Sequence, residues 1–421
     1  MALAVITFAG VLAVIATERV HRTKVALLGA AIVVLFVGGF NQEQAVESID
    51  FNTIGLLLGM MVLVHLTQQS GVFEYIAIQA GRLSGGSSLG VVVSLAGTTA
   101  VLSAFLDNLT TILLVVPVTF LLADTLDIDP LPLVVIEIIS SNIGGTATLI
   151  GDPPNIIIAG ATGLSFNEFI VNLAPVVLVT FAIVLPLLYL YFRSRLRISA
   201  EARRYLMGLD ARASIEDPAE LRRTGPVLAL TIVAFFAHQA LHVEPATVAL
   251  TGAAVALLVT RQSIESALAR VEWPTLFFFA ALFVMVGALE ATGAIGEAAE
   301  GVKNLTGGDR TAELLGLVWV SGVGSGILDN IPFTTAMIPV TEELQAGQGG
   351  DDSYWWALAL GACFGGNATM IAAAANVAAA GLAERSGRPI GFLSFLKIGL
   401  PATALSLAIA SAYVTFRYIV L

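Results

Sequence analysis

Phe105-Leu106-Asp107-Asn108 and Ile327-Leu328-Asp329-Asn330 stand 222 residues apart in a chain of 421 residues. Downstream of each comes a second matching pair, Gly144-Gly145-Thr146-Ala147-Thr148 and Gly365-Gly366-Asn367-Ala368-Thr369, now offset by 221, so one deletion between the pairs keeps the register. Val25-Ala26-Leu27 answers Val248-Ala249-Leu250, Phe51 answers Trp273, Ser70-Gly71 answers Thr292-Gly293, Pro117 answers Pro339 and Asn155 answers Asn376. Apolar sequence matches itself readily in Val, Leu and Ala. Asp-Asn, Gly-Gly, Pro and Asn recurring in the same order are much harder to produce by chance, and the chain reads as a duplication.

Composition sets the solvent in which the two copies fold. Hydrophobic residues make up 57% of the chain and charged residues 12%, about half the charged share of an ordinary soluble domain, roughly 25%. Apolar stretches at 24–40, 53–67, 172–192, 226–241 and 401–421 are long enough for membrane crossings, and a polytopic all-α membrane protein is the economical reading. Met1 to Thr17 lacks a basic leader and runs into another apolar stretch after Glu18 to Thr23, so it reads as a first helix and not as a signal peptide. The net charge is -11, with acidic excess in loops such as Glu342, Glu343, Asp351 and Asp352, which makes nucleic acid an unsuitable partner. The single cysteine, Cys363, excludes a disulfide within the chain and a site of several thiolates; it reads as a small apolar residue in a packed helix.

Loop charge orients the halves. Arg193 to Arg223 is the longest polar segment and holds eight arginines, so it belongs on the cytoplasmic side. Arg19, Arg22 and Lys24 place the loop 18–24 inside, whereas Glu43, Glu47 and Asp50 place 41–50 outside. The counterpart of 41–50 in the second half carries Arg261 and Arg270 and reads as inside. Opposite orientation needs an odd number of crossings per half. Five crossings and one re-entrant hairpin satisfy it, and inverted repeats of this kind are characteristic of secondary transporters. The expected organisation is a first repeat over 1–192 with a hairpin near 88–123 and a broken helix near 131–163, and a basic cytoplasmic linker over 193–224. A second repeat follows over 225–421, with a hairpin near 313–341 and a broken helix near 354–382. The predicted location is the inner (plasma) membrane, with both termini outside.

The breaks concentrate the polar residues. Gly pairs and Pro pairs end helical hydrogen bonding, and non-helical backbone at membrane depth is tolerated where it lines a cavity or is packed in protein. Four breaks therefore point to one shared site. Asp107 and Asp329 lead the candidates, because a carboxylate in a span costs about 2.5–3.5 kcal/mol on insertion scales; the competing role for each is to cap the following helix. Asn108, Thr110, Thr111, Gly145, Thr146, Thr148 and Asn155, with Asn330, Thr334, Gly366, Asn367, Thr369 and Asn376 opposite, supply neutral donors, acceptors and freed backbone groups. Asp152 has Ala373 as its counterpart and breaks the symmetry, which suits ion or proton coupling or, alternatively, stabilisation of the Gly151-Asp152-Pro153-Pro154 turn. His65, Glu137 and Glu290 lie in apolar runs, but their repeat counterparts do not keep their chemistry. No Lys or Arg falls in the four breaks, which argues for a neutral or cationic solute over a multiply charged anion. No resident metal is expected, apart from Na+ at Asp107 or Asp329 under a sodium-coupled reading.

Ser103-Ala-Phe-Leu-Asp-Asn-Leu-Thr-Thr111 with Pro117, and Ser141-Asn-Ile-Gly-Gly-Thr-Ala-Thr148 followed by Gly151-Asp-Pro-Pro-Asn155, resemble the hairpin tip and broken helix of the ion transporter superfamily. The resemblance covers nearly the whole chain and is closest in kind to the subgroup of ArsB-type arsenite and antimonite permeases, NhaD sodium/proton antiporters and the melanosomal P protein. Dicarboxylate carriers of the superfamily have Ser-Asn-Thr at the hairpin tip, where this chain has Asp107-Asn108-Leu109-Thr110. The resemblance implies a scaffold part, a transport part and a tendency to homodimers. The second repeat lacks Gly-Asp-Pro-Pro and has Ile371 to Ala375 instead, so its break is expected to be gentler.

Together these readings predict a secondary transporter, not an enzyme. The expected activity is proton-coupled efflux of arsenite or antimonite by alternating access, driven by the proton-motive force without a cofactor. At neutral pH As(OH)3 is uncharged and polyol-like, which suits Asn, Thr and freed backbone groups. The alternative is a Na+/H+ antiporter in which the same carboxylates and freed carbonyls ligate Na+; an organic or inorganic anion carrier ranks below both. A third class is the membrane subunit of an energising ATPase docking on 193–223, against which stands a plain solvated loop. The chain has no Gly-rich phosphate loop with Lys and so does not hydrolyse nucleotide itself. The expected partners are thus a small inorganic solute and membrane lipid.

Overall fold

A computed structural model of the chain describes residues 1–17, 19–83, 85–208 and 211–420. Glu18, at the edge of the first basic loop, lies outside the described residues. The described chain is helical throughout, and its elements repeat in order. The first set is α1 (Ala2–Ala16), α2 (Arg22–Phe36), α3 (Gln42–Glu47), α4 (Phe51–Gln68), α5 (Val72–Leu83), α6 (Ser88–Leu106), α7 (Asn108–Leu126), α8 (Leu131–Gly145), α9 (Pro153–Thr162) and α10 (Phe166–Phe192). After α11 (Ala200–Gly208) and a 3-10 turn, Ala211–Ser214, the set recurs. It comprises α12 (Pro218–Ala237), α13 (Pro245–Val259), α14 (Ile264–Ala269), α15 (Trp273–Ala291), α16 (Ala294–Thr306), α17 (Arg310–Ile327), α18 (Asn330–Gly347), α19 (Ser353–Gly365), α20 (Ala374–Arg385) and α21 (Phe392–Val414). A π-helical segment, Thr415–Val420, extends α21.

The two sets are interlocked by exchange. α4 packs on α13 while its counterpart α15 packs on α2; α7 packs on α20 while α18 packs on α9. Within each set the hairpin's first arm lies on the broken helix, α6 on α8 and α17 on α19. The inverted-repeat architecture is thus visible in the contacts as a pseudo-twofold relation between halves. Local bonds repeat as well. Ser103 Oγ donates to the Ser141 carbonyl at 2.7 Å and Ser325 Oγ to the Ala362 carbonyl at 2.6 Å; Thr148 Oγ1 donates to the Ala104 carbonyl and Thr369 Oγ1 to that of Gly326.

Among the described residues six helices, α4, α6, α7, α10, α15 and α21 with its π extension, are long and apolar enough to cross a bilayer. α8 and α19 are shorter, and residues 132–145 and 353–365 are buried on every face, as expected of helices with no polar side at the centre of a bundle. Small residues let the hairpin arms come close. A Cβ on Gly144 would lie 2.3 Å from the Ala100 carbonyl oxygen, and one on Gly365 2.5 Å from that of Gly322.

The linker is more structured than a solvated loop. Ala211 is buried, the 3-10 turn packs on α5, and the Glu216 N–H donates to the Ser70 carbonyl at 3.1 Å. The second helix break is also no gentler than the first: α19 stops at Gly365 and α20 starts at Ala374, against Gly145 and Pro153. Proline is dispensable there because Ala373 adopts the extended conformation of Asp152, φ −148° against −142°.

Candidate functional site

Both hairpin tips and both helix breaks meet at one buried junction. Asp152, at the N-terminus of α9, makes no capping bond with its side chain. Instead Oδ1 accepts from Asn108 Nδ2 at 3.1 Å and from Asn330 Nδ2 at 3.0 Å, so one carboxylate ties the two tips together. Its Oδ2 has no hydrogen-bond partner, and the Cys363 thiol lies beside the carboxylate. Asn108, Asp152 and Asn330 are all buried. Of the two roles the sequence left open for Asp152, side-chain stabilisation of its own turn is the one the geometry does not use.

The amides beyond Asp152 carry the network across the repeats. Asn142 Oδ1 accepts from Asn108 Nδ2 at 3.2 Å, and Asn142 Nδ2 reaches Asn367 Oδ1 and Asn376 Oδ1, both at 3.0 Å. Asn142 is the 221-offset counterpart of Cys363, and Cys363 Sγ in turn donates to Asn155 Oδ1 at 3.5 Å. Each repeat therefore extends the same position toward the other's asparagine. Asn142 and the pairing of Cys363 escaped the sequence reading, although the offset that aligned Asn155 with Asn376 would have aligned these two as well.

The freed carbonyls have internal partners. Asn155 Nδ2 donates to the carbonyls of Thr146 and Thr148 at 3.1 and 2.8 Å, and Asn376 Nδ2 to those of Gly366 and Thr369 at 2.7 and 2.8 Å. Most threonine hydroxyls are engaged too: Thr146 on the Asn142 carbonyl, Thr334 on that of Asn330, Thr148 and Thr369 on hairpin carbonyls. The protons of these hydroxyls are committed to backbone carbonyls, which leaves their oxygens as acceptors. Thr111 Oγ1 and Asn367 Nδ2 are buried without a partner. Gly145 faces backbone: a Cβ there would lie 2.5 Å from the Gly151 carbonyl oxygen.

Asp107 and Asp329 occupy the tips in different ways. Each caps its helix, Asp107 Oδ1 accepting from the Thr110 N–H at 2.8 Å and Asp329 Oδ1 from the Ile331 N–H at 3.0 Å. Asp107 does so at φ 84°, ψ 155°, a region that costs about 1–3 kcal/mol for a residue with a Cβ, whereas Asp329 sits at φ −68°. Asp329 Oδ2 is bonded to Arg22 Nη1 at 2.5 Å, and the guanidinium lies 5.0 Å from the centroid of the Phe278 ring. The breaks themselves hold no Lys or Arg, but α2 delivers a cation to the second tip from outside them. Position 245, the counterpart of Arg22, is proline.

A cavity of about 460 Å³ opens at this second tip, lined by His21, Arg22, Asp329, Pro332, Ile371 and Val377 among others. The remaining intramembrane polar residues lie apart from the junction's hydrogen bonds. His65 pairs with Gln69, Thr119 Oγ1 donates to the buried Glu137 at 2.5 Å, and Glu290 is exposed at the end of α15.

Comparison with known proteins places this architecture. The family model described as "Citrate transporter" matches residues 12–361. The chain belongs to that transporter family. A protein of Mycobacterium tuberculosis (strain ATCC 25618 / H37Rv) named as an uncharacterized transporter is 44% identical, over 99% of each chain. The P protein of Homo sapiens is 35% identical over 98% of this chain and 59% of its own. The YdaH transporter of Alcanivorax borkumensis shares the fold, with a TM-score of 0.60 at 17% identity over 88% of this chain and 86% of that one. The protein is a membrane transporter and not an enzyme; the P proteins named in the sequence resemblance are among its relatives, and the arsenite-permease subgroup is a finer assignment.

Proposed function

We propose that the protein is a proton-coupled secondary transporter that exports a small, uncharged, hydroxylated inorganic solute of the arsenite or antimonite type by alternating access. The observation that carries this reading is the Asp152 junction: one carboxylate bridging the amides of Asn108 and Asn330. A buried carboxylate is stabilised by such charge-assisted bonds and weakens them when it takes up a proton. Protonation of Asp152 would then loosen both tips at once and open their amides to solute hydroxyls, and proton loss would expel the solute. The sodium alternative is less well supported, because the helix-break carbonyls that would ligate Na+ are already bonded by Asn155 and Asn376.

The test is flux into inside-out vesicles or proteoliposomes under a proton gradient. Arsenite accumulation that collapses with the gradient is the expected result. Proton movement evoked by Na+ or Li+, without arsenite flux, would overturn the reading in favour of the antiporter.

A second reading, an anion carrier, is favoured by Arg22, which places a guanidinium on the wall of the open cavity. Under that reading a carboxylate solute such as citrate would compete with Asp329 for Arg22, and Arg22→Gln would abolish its uptake. Under the proton-coupled reading Arg22 neutralises Asp329, so combining Arg22→Gln with Asp329→Asn would restore arsenite flux lost in the single variant. The same proposal sets the protein in the inner membrane with termini outside and 193–224 cytoplasmic, and includes a homodimer. The exposed arginines of the folded linker are the surface for an ATPase subunit, should one assist export.

A further inference from the structure

The N-termini of α4 and α15 are equivalent seats, and one of them is occupied. Asp50 Oδ1 caps α4 through the Asn52 and Thr53 N–H groups, and Thr53 Oγ1 donates to Asp50 Oδ2 at 2.5 Å. α9 rests on this cap. Thr53 Oγ1 lies 3.3 Å from the Ile156 carbonyl oxygen, and a Cβ on Gly160 would stand 1.8 Å from Asp50 Oδ2. Only glycine permits that approach.

The repeat carries each of these groups into the second half. Glu272 stands for Asp50, Thr275 for Thr53, Val377 for Ile156 and Gly381 for Gly160. Thr275 Oγ1 donates to Glu272 Oε2 at 3.2 Å, so the carboxylate–hydroxyl pair is assembled. α20 does not rest on it. A Cβ on Gly381 would meet nothing within 4 Å, and Val377 is 45% exposed where Ile156 is 3% exposed. Beside α20 lies the cavity of about 460 Å³, walled by Val377 and Ala378 on one side and by Leu12, Ile15 and Arg22 on the other and not by Glu272 or Thr275 themselves, whereas the space at the first seat, lined by Thr53, Ile156, Gly160 and Pro245, is about 20 Å³. A glycine inside a helix costs roughly 1 kcal/mol against alanine, and in this arrangement nothing near Gly381 requires one.

We propose that Glu272 and Thr275 are a second seat, built to receive α20 when the cavity closes, with Gly381 against the Glu272 carboxylate and the Val377 carbonyl beside Thr275. The first seat empties in the same movement, Gly160 leaving Asp50, so the molecule alternates between two matched latches. Glu272 and Thr275 are positioning residues in this scheme and do not touch the solute. The proposal rests on the alternating-access reading and is independent of which solute is carried.

Two cysteine pairs test it in reconstituted full-length protein carrying Cys363→Ser: Thr53→Cys with Ile156→Cys, and Thr275→Cys with Val377→Cys. A short bis-methanethiosulfonate reagent is expected to link both pairs, and linking either should slow the linking of the other in the four-cysteine protein. Failure of the second pair to link where the first does would overturn the proposal. Gly381→Leu adds a check that misfolding cannot mimic, since the position is open in this structure. It should slow the 275–377 link by roughly tenfold or more through overpacking of the closed seat, leaving the 53–156 link and the melting temperature unchanged. An unchanged 275–377 rate in Gly381→Leu would equally overturn it. Because linking is read without solute flux, a failed seat and a failed arsenite reading are told apart.

Discussion

At the scale of single residues, Asp152 and Asp107 make separable demands. Asp152→Ala leaves the buried amides of Asn108 and Asn330 without their shared acceptor, at about 1–3 kcal/mol for each unpaired group, whereas Asp152→Asn keeps an oxygen there and removes the charge. The alanine variant should melt well below wild type in detergent. The asparagine variant should melt near wild type while flux in proteoliposomes becomes insensitive to the proton gradient; gradient-driven accumulation in Asp152→Asn would refute the coupling role. Asp107→Gly relieves a backbone conformation that glycine adopts freely and loses only a few tenths of a kcal/mol as a cap. Its melting temperature should hold or rise as transport falls, and a marked drop in melting temperature would count against strain at that position. Asp107, Asp329, Asn108 and Asn330 stood out because the duplication repeats them in polar pairs, and Asp152 because its counterpart, Ala373, breaks that symmetry. Arg22 was not, since it comes from a basic loop 307 residues from Asp329 and has proline as its counterpart. The donor bonds of the threonines were not legible, for a general reason: a hydroxyl near a helix break is within reach of a freed carbonyl and donates to it.

At the scale of elements, the hairpins and broken helices owe their closeness to glycine. A methyl on Gly144 would press into the backbone of Ala100, 2.3 Å from its oxygen and 2.5 Å from its Cα, and overpacking of this kind costs about 1–3 kcal/mol. Gly144→Ala should therefore lower the melting temperature. Gly97→Ala, on the facing helix α6 but with nothing within 4 Å, should not; equal melting of the two variants would show that the α6–α8 crossing is looser than described. Gly-Gly and Pro-Pro signals revealed the first broken helix. The second repeat lacks Gly-Asp-Pro-Pro, and its sequence alone points to a milder break. The structure shows that an asparagine bonding two carbonyls, Asn376 on Gly366 and Thr369, accompanies a break one residue longer without proline.

At the scale of the whole molecule, duplication and membrane class were legible because each is written in many residues. The inequality of the two sides was not, since about 460 Å³ of space beside α20 and about 20 Å³ beside α9 belong to a conformation and not to a composition. Orientation is open to a direct check. Cysteines introduced at Arg197 or Arg204, in Cys363→Ser protein, should react with an impermeant maleimide in inside-out vesicles and stay unlabelled in intact cells; labelling from outside would reverse the assignment of the linker. The wild-type chain meanwhile contains its own chemical reporter. Cys363 is the sole thiol, fully buried, donating to Asn155 and facing Asp152 where the repeats interlock. A small neutral mercurial that titrates it would act as a clock for the parting of the repeats, reading in unmodified protein how often the junction admits a molecule of that size. The rate should rise with turnover, and a rate indifferent to turnover would mean that the junction stays shut while the solute passes elsewhere.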